Sequence, residues 1–96
     1  MDLIDAIMEN KLDMVQSILS QGVDVHRCND SDSITPLHHA VANSNVNVVF
    51  QLLSFGADPN FIPENGTDSA MELACHLKKW DIVNLFVMAN KSLLIN

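Results

Sequence analysis

The sequence predicts an all-α domain in which three helix hairpins stack as a short solenoid, with long irregular loops between them. Three observations carry this. The 96-residue chain is similar to itself at an offset of 34 residues, apolar residues in each unit recur at helical spacing, and the stretches between units are dense in Asp, Asn, Pro and Gly. Composition agrees. With no Tyr, one Trp and three Gly, an all-β domain with many tight turns is poorly supported. Apolar residues make up 48 %, too many for intrinsic disorder.

At the 34-residue offset, Leu12-Asp13-Met14-Val15 falls on Val46-Asn47-Val48-Val49 and then on Trp80-Asp81-Ile82-Val83. Ile18-Leu19 falls on Leu52-Leu53 and Phe86-Val87, and Ala6, Ala40 and Ala74 coincide. Gly22-Val23-Asp24 matches Gly56-Ala57-Asp58. The matches run through nearly the whole chain, so it reads as one domain, 1–96, of units near 1–29, 30–63 and 64–96.

The middle unit explains each element. Thr35 is a natural N-cap, and Pro36 stands at the first helical position, where its missing N–H costs nothing. Leu37, Ala40 and Val41 follow at helical spacing, and the chain turns at Asn43-Ser44-Asn45. A second helix carries Val46, Val49, Leu52 and Leu53 on one face, and Gly56 supplies the left-handed residue that ends it. Asp58-Pro59-Asn60 through Thr67-Asp68 is turn chemistry, with a tight-turn signal at Asn65-Gly66. In the third unit Ser69 and Glu72 form a capping box. Helices are thus expected near 2–9, 12–20, 36–43, 46–55, 70–77 and 80–89, with Asn90 standing where the third unit's terminating glycine belongs. Asn10, Ser44 and Lys78 occupy the turn inside each hairpin, where Asn tolerates the left-handed conformation and Lys78 is expected to be mildly strained.

Thr35-Pro36-Leu37-His38-His39-Ala40, then Val48-Val49 and Leu52-Leu53, then Gly56-Ala57-Asp58-Pro59-Asn60 closely resemble the ankyrin repeat. A 34-residue period also suits tetratricopeptide repeats, but those join two long helices by a short link, whereas here Ser69 follows Gly56 by 13 positions of turn-forming sequence. The resemblance implies an all-α ankyrin-repeat solenoid of three helix-turn-helix units joined by finger loops. Ankyrin repeats usually have a 33-residue period, so each loop carries one extra residue in its finger. The first unit lacks the Thr-Pro-Leu-His start, as an N-terminal cap does. The resemblance also implies that the His38 ring ties its helix start to the neighbouring loop backbone.

Charge and targeting signals narrow the function classes. Twelve acidic against five basic residues give −7, which argues against nucleic-acid or anionic-membrane binding and suits a basic protein partner. Residues 1–34 hold seven acids against two bases, a net −5. The opening Met-Asp-Leu-Ile-Asp is no basic n-region, and no apolar run nears the ~20 residues that span a membrane, so a cytoplasmic protein is expected.

The candidate chemistry is thin. His26, His38, His39, His76, Cys28 and Cys75 show no zinc-ligand spacing, and Cys75 aligns with Ile7 and Val41, which predicts a small buried position. Asp30-Ser31-Asp32 starts like a calcium loop but lacks its Gly and its bidentate Glu. No nucleophile constellation and no phosphate-cradling glycine loop stand out. The expectation is therefore no catalytic residue, no cofactor and no metal.

By resemblance, finger tips and the exposed side of each first helix form a concave binding face. This selects Met8 and Glu9 in the first unit, Asp30, Asp32, Ile34, His39 and Asn43 in the second, and Asp68, His76 and Leu77 in the third, with Arg27, Phe61 and Ile62 in the fingers. Phe61 either anchors a partner or folds onto its own finger. Three units are about the minimum for a solenoid. The apolar tail Leu93-Leu94-Ile95 therefore either folds over the third hairpin or leaves an end face that pairs with another chain, giving a monomer or a weak homodimer through an end unit. Together these features predict a protein-interaction module, not an enzyme. It would inhibit or neutralise its partner by occlusion, in the manner of an immunity protein or inhibitor. The alternatives are an adaptor, a fragment of a longer ankyrin array, or an acidic nucleic-acid mimic.

Overall fold

The computed structural model describes residues 2–28 and 34–95, with side chains for 2–28 and 34–89. Six helices follow in order: α1 (Leu3–Met8), α2 (Leu12–Ser20), α3 (Pro36–Ala42), α4 (Val46–Ser54), α5 (Ala70–His76) and α6 (Trp80–Ile95). No strand occurs among the described residues. The inner helices α1, α3 and α5 pack side by side, and α2, α4 and α6 stack behind them, giving the expected ankyrin-type solenoid.

Local chemistry sets the helix starts. The Asp5 N–H donates to Asp2 Oδ1 at 2.8 Å, the His38 N–H to Thr35 Oγ1 and the Glu72 N–H to Ser69 Oγ, so each inner helix has an oxygen cap. The Ser69–Glu72 capping box forms as expected, and Thr35–His38 makes a second in which an imidazole replaces the carboxylate. Each inner helix also ends alike. The N–H groups of Lys11, Asn45 and Lys79 reach back to the carbonyls of Ala6, Ala40 and Ala74 at 3.0, 3.0 and 2.9 Å. Such closure places the preceding residue in the left-handed region, and Asn10, Ser44 and Lys78 have φ of 57°, 55° and 59°. Gly56, at φ 94°, closes α4 by the same pattern through Ala57 N–H to Leu52 O.

Ala6, Ala40 and Ala74 are fully buried, alongside Ile7, Val15, Val41, Val48, Val49, Leu52, Ile82 and Phe86. The small side chain at this column lets neighbouring inner helices approach. Ala40→Leu is therefore expected to cost about 1–3 kcal/mol by overpacking. At about 4–8 °C per kcal/mol for a domain of this size, the loss should be plain in a thermal melt. An unchanged melting temperature would contradict the alanine column.

Two expectations fail. The helix expected to stop near 89 runs through Ile95, so the tail prolongs α6 and does not turn back after Asn90. The segment from Trp80 to Ile95 contains neither Gly nor Pro, and one Asn is a weak stop. Cys75, expected to be buried, is exposed. Its counterparts Ile7 and Val41 are covered by the unit that follows each of them, whereas among the described residues no further hairpin covers the third.

Candidate protein-binding face

The inner-helix ends are joined rung by rung. Asn45 Nδ2 donates to Asn10 Oδ1, and Lys79 Nζ donates to Ser44 Oγ, so each hairpin turn is tied to the next. Beside these turns lie two columns of equivalent positions: Met8, Ala42 and His76, and Glu9, Asn43 and Leu77, all exposed. Asn43 Nδ2 lies 3.4 Å from Met8 Sδ, which brings the first two units together on this face. His39, one turn back on α3, is half-buried.

At the other end of the inner helices, Ile34 and Asp68 immediately precede the caps Thr35 and Ser69, and both are exposed. His38 holds the third unit's loop in place. Its Nε2 lies 2.8 Å from the Asp68 carbonyl, which can only accept, so Nε2 carries the proton. Nδ1 is then an acceptor, 2.6 Å from Thr35 Oγ1 and 3.3 Å from the Thr35 nitrogen. The role implied for His38 by resemblance is realised at Asp68.

The finger residues behave differently from expectation. Ile62 is exposed at 47 %, and Arg27 is also exposed, but Phe61 is only half-buried and lies on neither its own finger nor open water. Its ring packs on His26 of the preceding finger, with centroids 4.4 Å apart. His26 Nε2 also accepts the Asp58 N–H at 2.9 Å, so one imidazole both stacks on the second finger and bonds to it. The sequence reading missed this role for His26. The available signal was the repeat offset, which puts His26 where the second finger has Asn60; each donates its N–H to the Asp two residues before it, at 2.9 Å. Asp30 and Asp32 lie outside the described residues.

Among the described residues, no three His, Cys, Asp or Glu side chains come together as a metal site, and no helix is long and apolar enough to cross a membrane. Purified protein is expected to contain no stoichiometric zinc by elemental analysis, and chelator should leave its melting temperature unchanged. A resident metal would stabilise the folded state by mass action, so its removal would lower the melting temperature.

The chain matches the family of ankyrin repeats, in three copies, over residues 3–95. It is 42 % identical over 64 residues to the mouse (Mus musculus) 2-5A-dependent ribonuclease, covering 67 % of this chain and 9 % of that protein. It is 36 % identical over 72 residues to human BCL-6 corepressor-like protein 1, covering 75 % of this chain and 4 % of that protein. It is also 34 % identical over 61 residues to the rat (Rattus norvegicus) palmitoyltransferase ZDHHC17, covering 64 % of this chain and 10 % of that protein. The chain thus spans a tenth or less of the length of these relatives, two of which are named as enzymes. Ankyrin repeats are in general non-catalytic modules that mediate protein–protein interaction. Three stacked hairpins, the Thr-Pro-Leu-His start with its His38 tie, and the match over residues 3–95 together make this chain a member of the ankyrin-repeat family.

Proposed function

We propose that the chain binds a protein partner on its concave face and second finger and inhibits or neutralises it by occlusion. The observation that carries this reading is the set of exposed apolar side chains Met8, Ile34, Ile62 and Leu77, bordered by the carboxylates of Glu9 and Asp68. Apolar anchors inside a polar rim are what protein interfaces use, and the acidic border suits a basic partner. His39, Asn43 and His76 supply adaptable hydrogen-bonding groups between the anchors, and Arg27 is the one basic side chain of the described finger residues. Asp30 and Asp32 add to the acidic border on the sequence alone.

Capture on the immobilised chain tests this, using Ile62→Glu and Leu77→Glu on the proposed face and Trp80→Glu on the outer helix layer. The expected partner is retained by the wild type and by Trp80→Glu and lost by the two face variants. At saturation the chain should suppress that partner's own activity. A partner held equally by all four proteins, or fully active when saturated, would overturn occlusion. A second reading, an adaptor belonging to a longer ankyrin array, is supported by the small share of each relative that the match occupies.

A further inference from the structure

The repeat makes the two ends of this solenoid complementary to each other. Inside the chain each junction joins side chains that face the following unit to side chains that face the preceding one. Ile7, Val15 and Leu19 are buried at the first junction, opposite Val48 and Leu52. Val41 and Val49 are buried at the second, opposite Ile82 and Phe86. The same positions at the ends are open. Those facing onward in the third unit are Cys75, exposed, Val87, 38 % exposed, and the half-buried Met71 and Val83. Those facing backward in the first unit are Met14, 42 % exposed, and the half-buried Ile18.

We propose that these two end faces associate head to tail, the third unit of one copy covering the first unit of another as a further ankyrin unit would. Two features select a second copy in this orientation. The interface continues the geometry of the chain's own junctions, in which onward-facing positions meet only backward-facing ones. Charge favours it as well: residues 1–34 carry a net −5, whereas residues 69–96, with Glu72 and Asp81 against Lys78, Lys79 and Lys91, carry a net +1. First units repel each other, and a first unit against a third does not. A heterologous contact of this kind does not close on itself as a pair, so it builds runs of increasing length.

Sedimentation velocity of the whole chain over a wide concentration range tests this. The wild type should grow from one chain to two and more as concentration rises. Met14→Glu blocks the backward face and Val87→Glu the onward face, with Cys75→Glu as a second onward-face variant. Each should stay a single chain alone with unchanged helical circular dichroism. An equimolar mixture of Met14→Glu with Val87→Glu should form pairs and nothing larger, because one intact face of each kind remains. A single-chain mass for the wild type at every concentration overturns the proposal. So does a Met14→Glu protein that still pairs with itself while the mixture gives no new species, since that outcome means onward face against onward face.

Discussion

Phe86→Ala is expected to lower the unfolding free energy by about 3–5 kcal/mol, the usual cost of emptying a buried aromatic site. Phe86 heads the fully buried side chains by volume and fills in α6 the position that Leu52 fills in α4. Its packing shell is built by the last two units, so the cavity would open at a junction between repeats, where a solenoid has only nearest-neighbour support. Small domains hold only about 5–15 kcal/mol in total, so this single change should bring the chain close to unfolding at ambient temperature. Urea denaturation followed by helical circular dichroism measures it. Val87→Ala, next in sequence but partly exposed, is the control and should cost far less. Equal midpoints for the two variants would contradict the assignment of Phe86 to the core.

Phe61→Ala should weaken partner binding by at least about 2 kcal/mol, roughly 30-fold, if the second finger contributes a central aromatic anchor. Because the ring also stacks on His26, some loss of stability is expected, of order 0.5–1.5 kcal/mol for an aromatic pair. His26→Ala separates the two contributions, for it removes the stack and the acceptor of the Asp58 N–H while leaving the Phe61 side chain present. Binding should fall much further for Phe61→Ala than for His26→Ala. Equal losses would mean that Phe61 acts by holding the fingers together and not by touching the partner. Charge reversal at Asp30 and Asp32 should act mainly on the association rate and fade as salt rises. Normal binding by Phe61→Ala, with collapse of the Asp30/Asp32 variant at all salt concentrations, would favour the nucleic-acid mimic instead. Surface-based kinetics at low and high salt, with melting curves as the folding control, give all of these readings.

Much of the local structure is legible because its causes are local. Thr35-Pro36, Ser69 with Glu72, and Gly56 act within one helical turn of themselves, and each behaves as its residue type requires. The left-handed turn at Lys78 was readable too, although Lys is a poor residue for it, because the repeat offset aligned it with Asn10 and Ser44. The end of α6 was less legible. A stop inferred by alignment with Gly22 and Gly56 failed, since Asn90 lacks the freedom that makes Gly a strong terminator.

By itself, the sequence determined the repeat, the helix starts, the hairpin turns, the alanine column and the tie from His38 to the following loop. All of these depend on residues near in sequence or on a repeat that copies its contacts from unit to unit. Only the tertiary structure decided which copies of a position are buried. Ile7 and Val41 are in the core while Cys75 is at the surface, and Val48 and Ile82 are in the core while Met14 is largely open. Trp80 is 61 % exposed though it aligns with Leu12, and Phe61 lies on His26 of another finger. The physical reason is common to these cases. In a solenoid a side chain's environment comes from the adjoining unit, so identical local patterns have different fates at an end and in the middle.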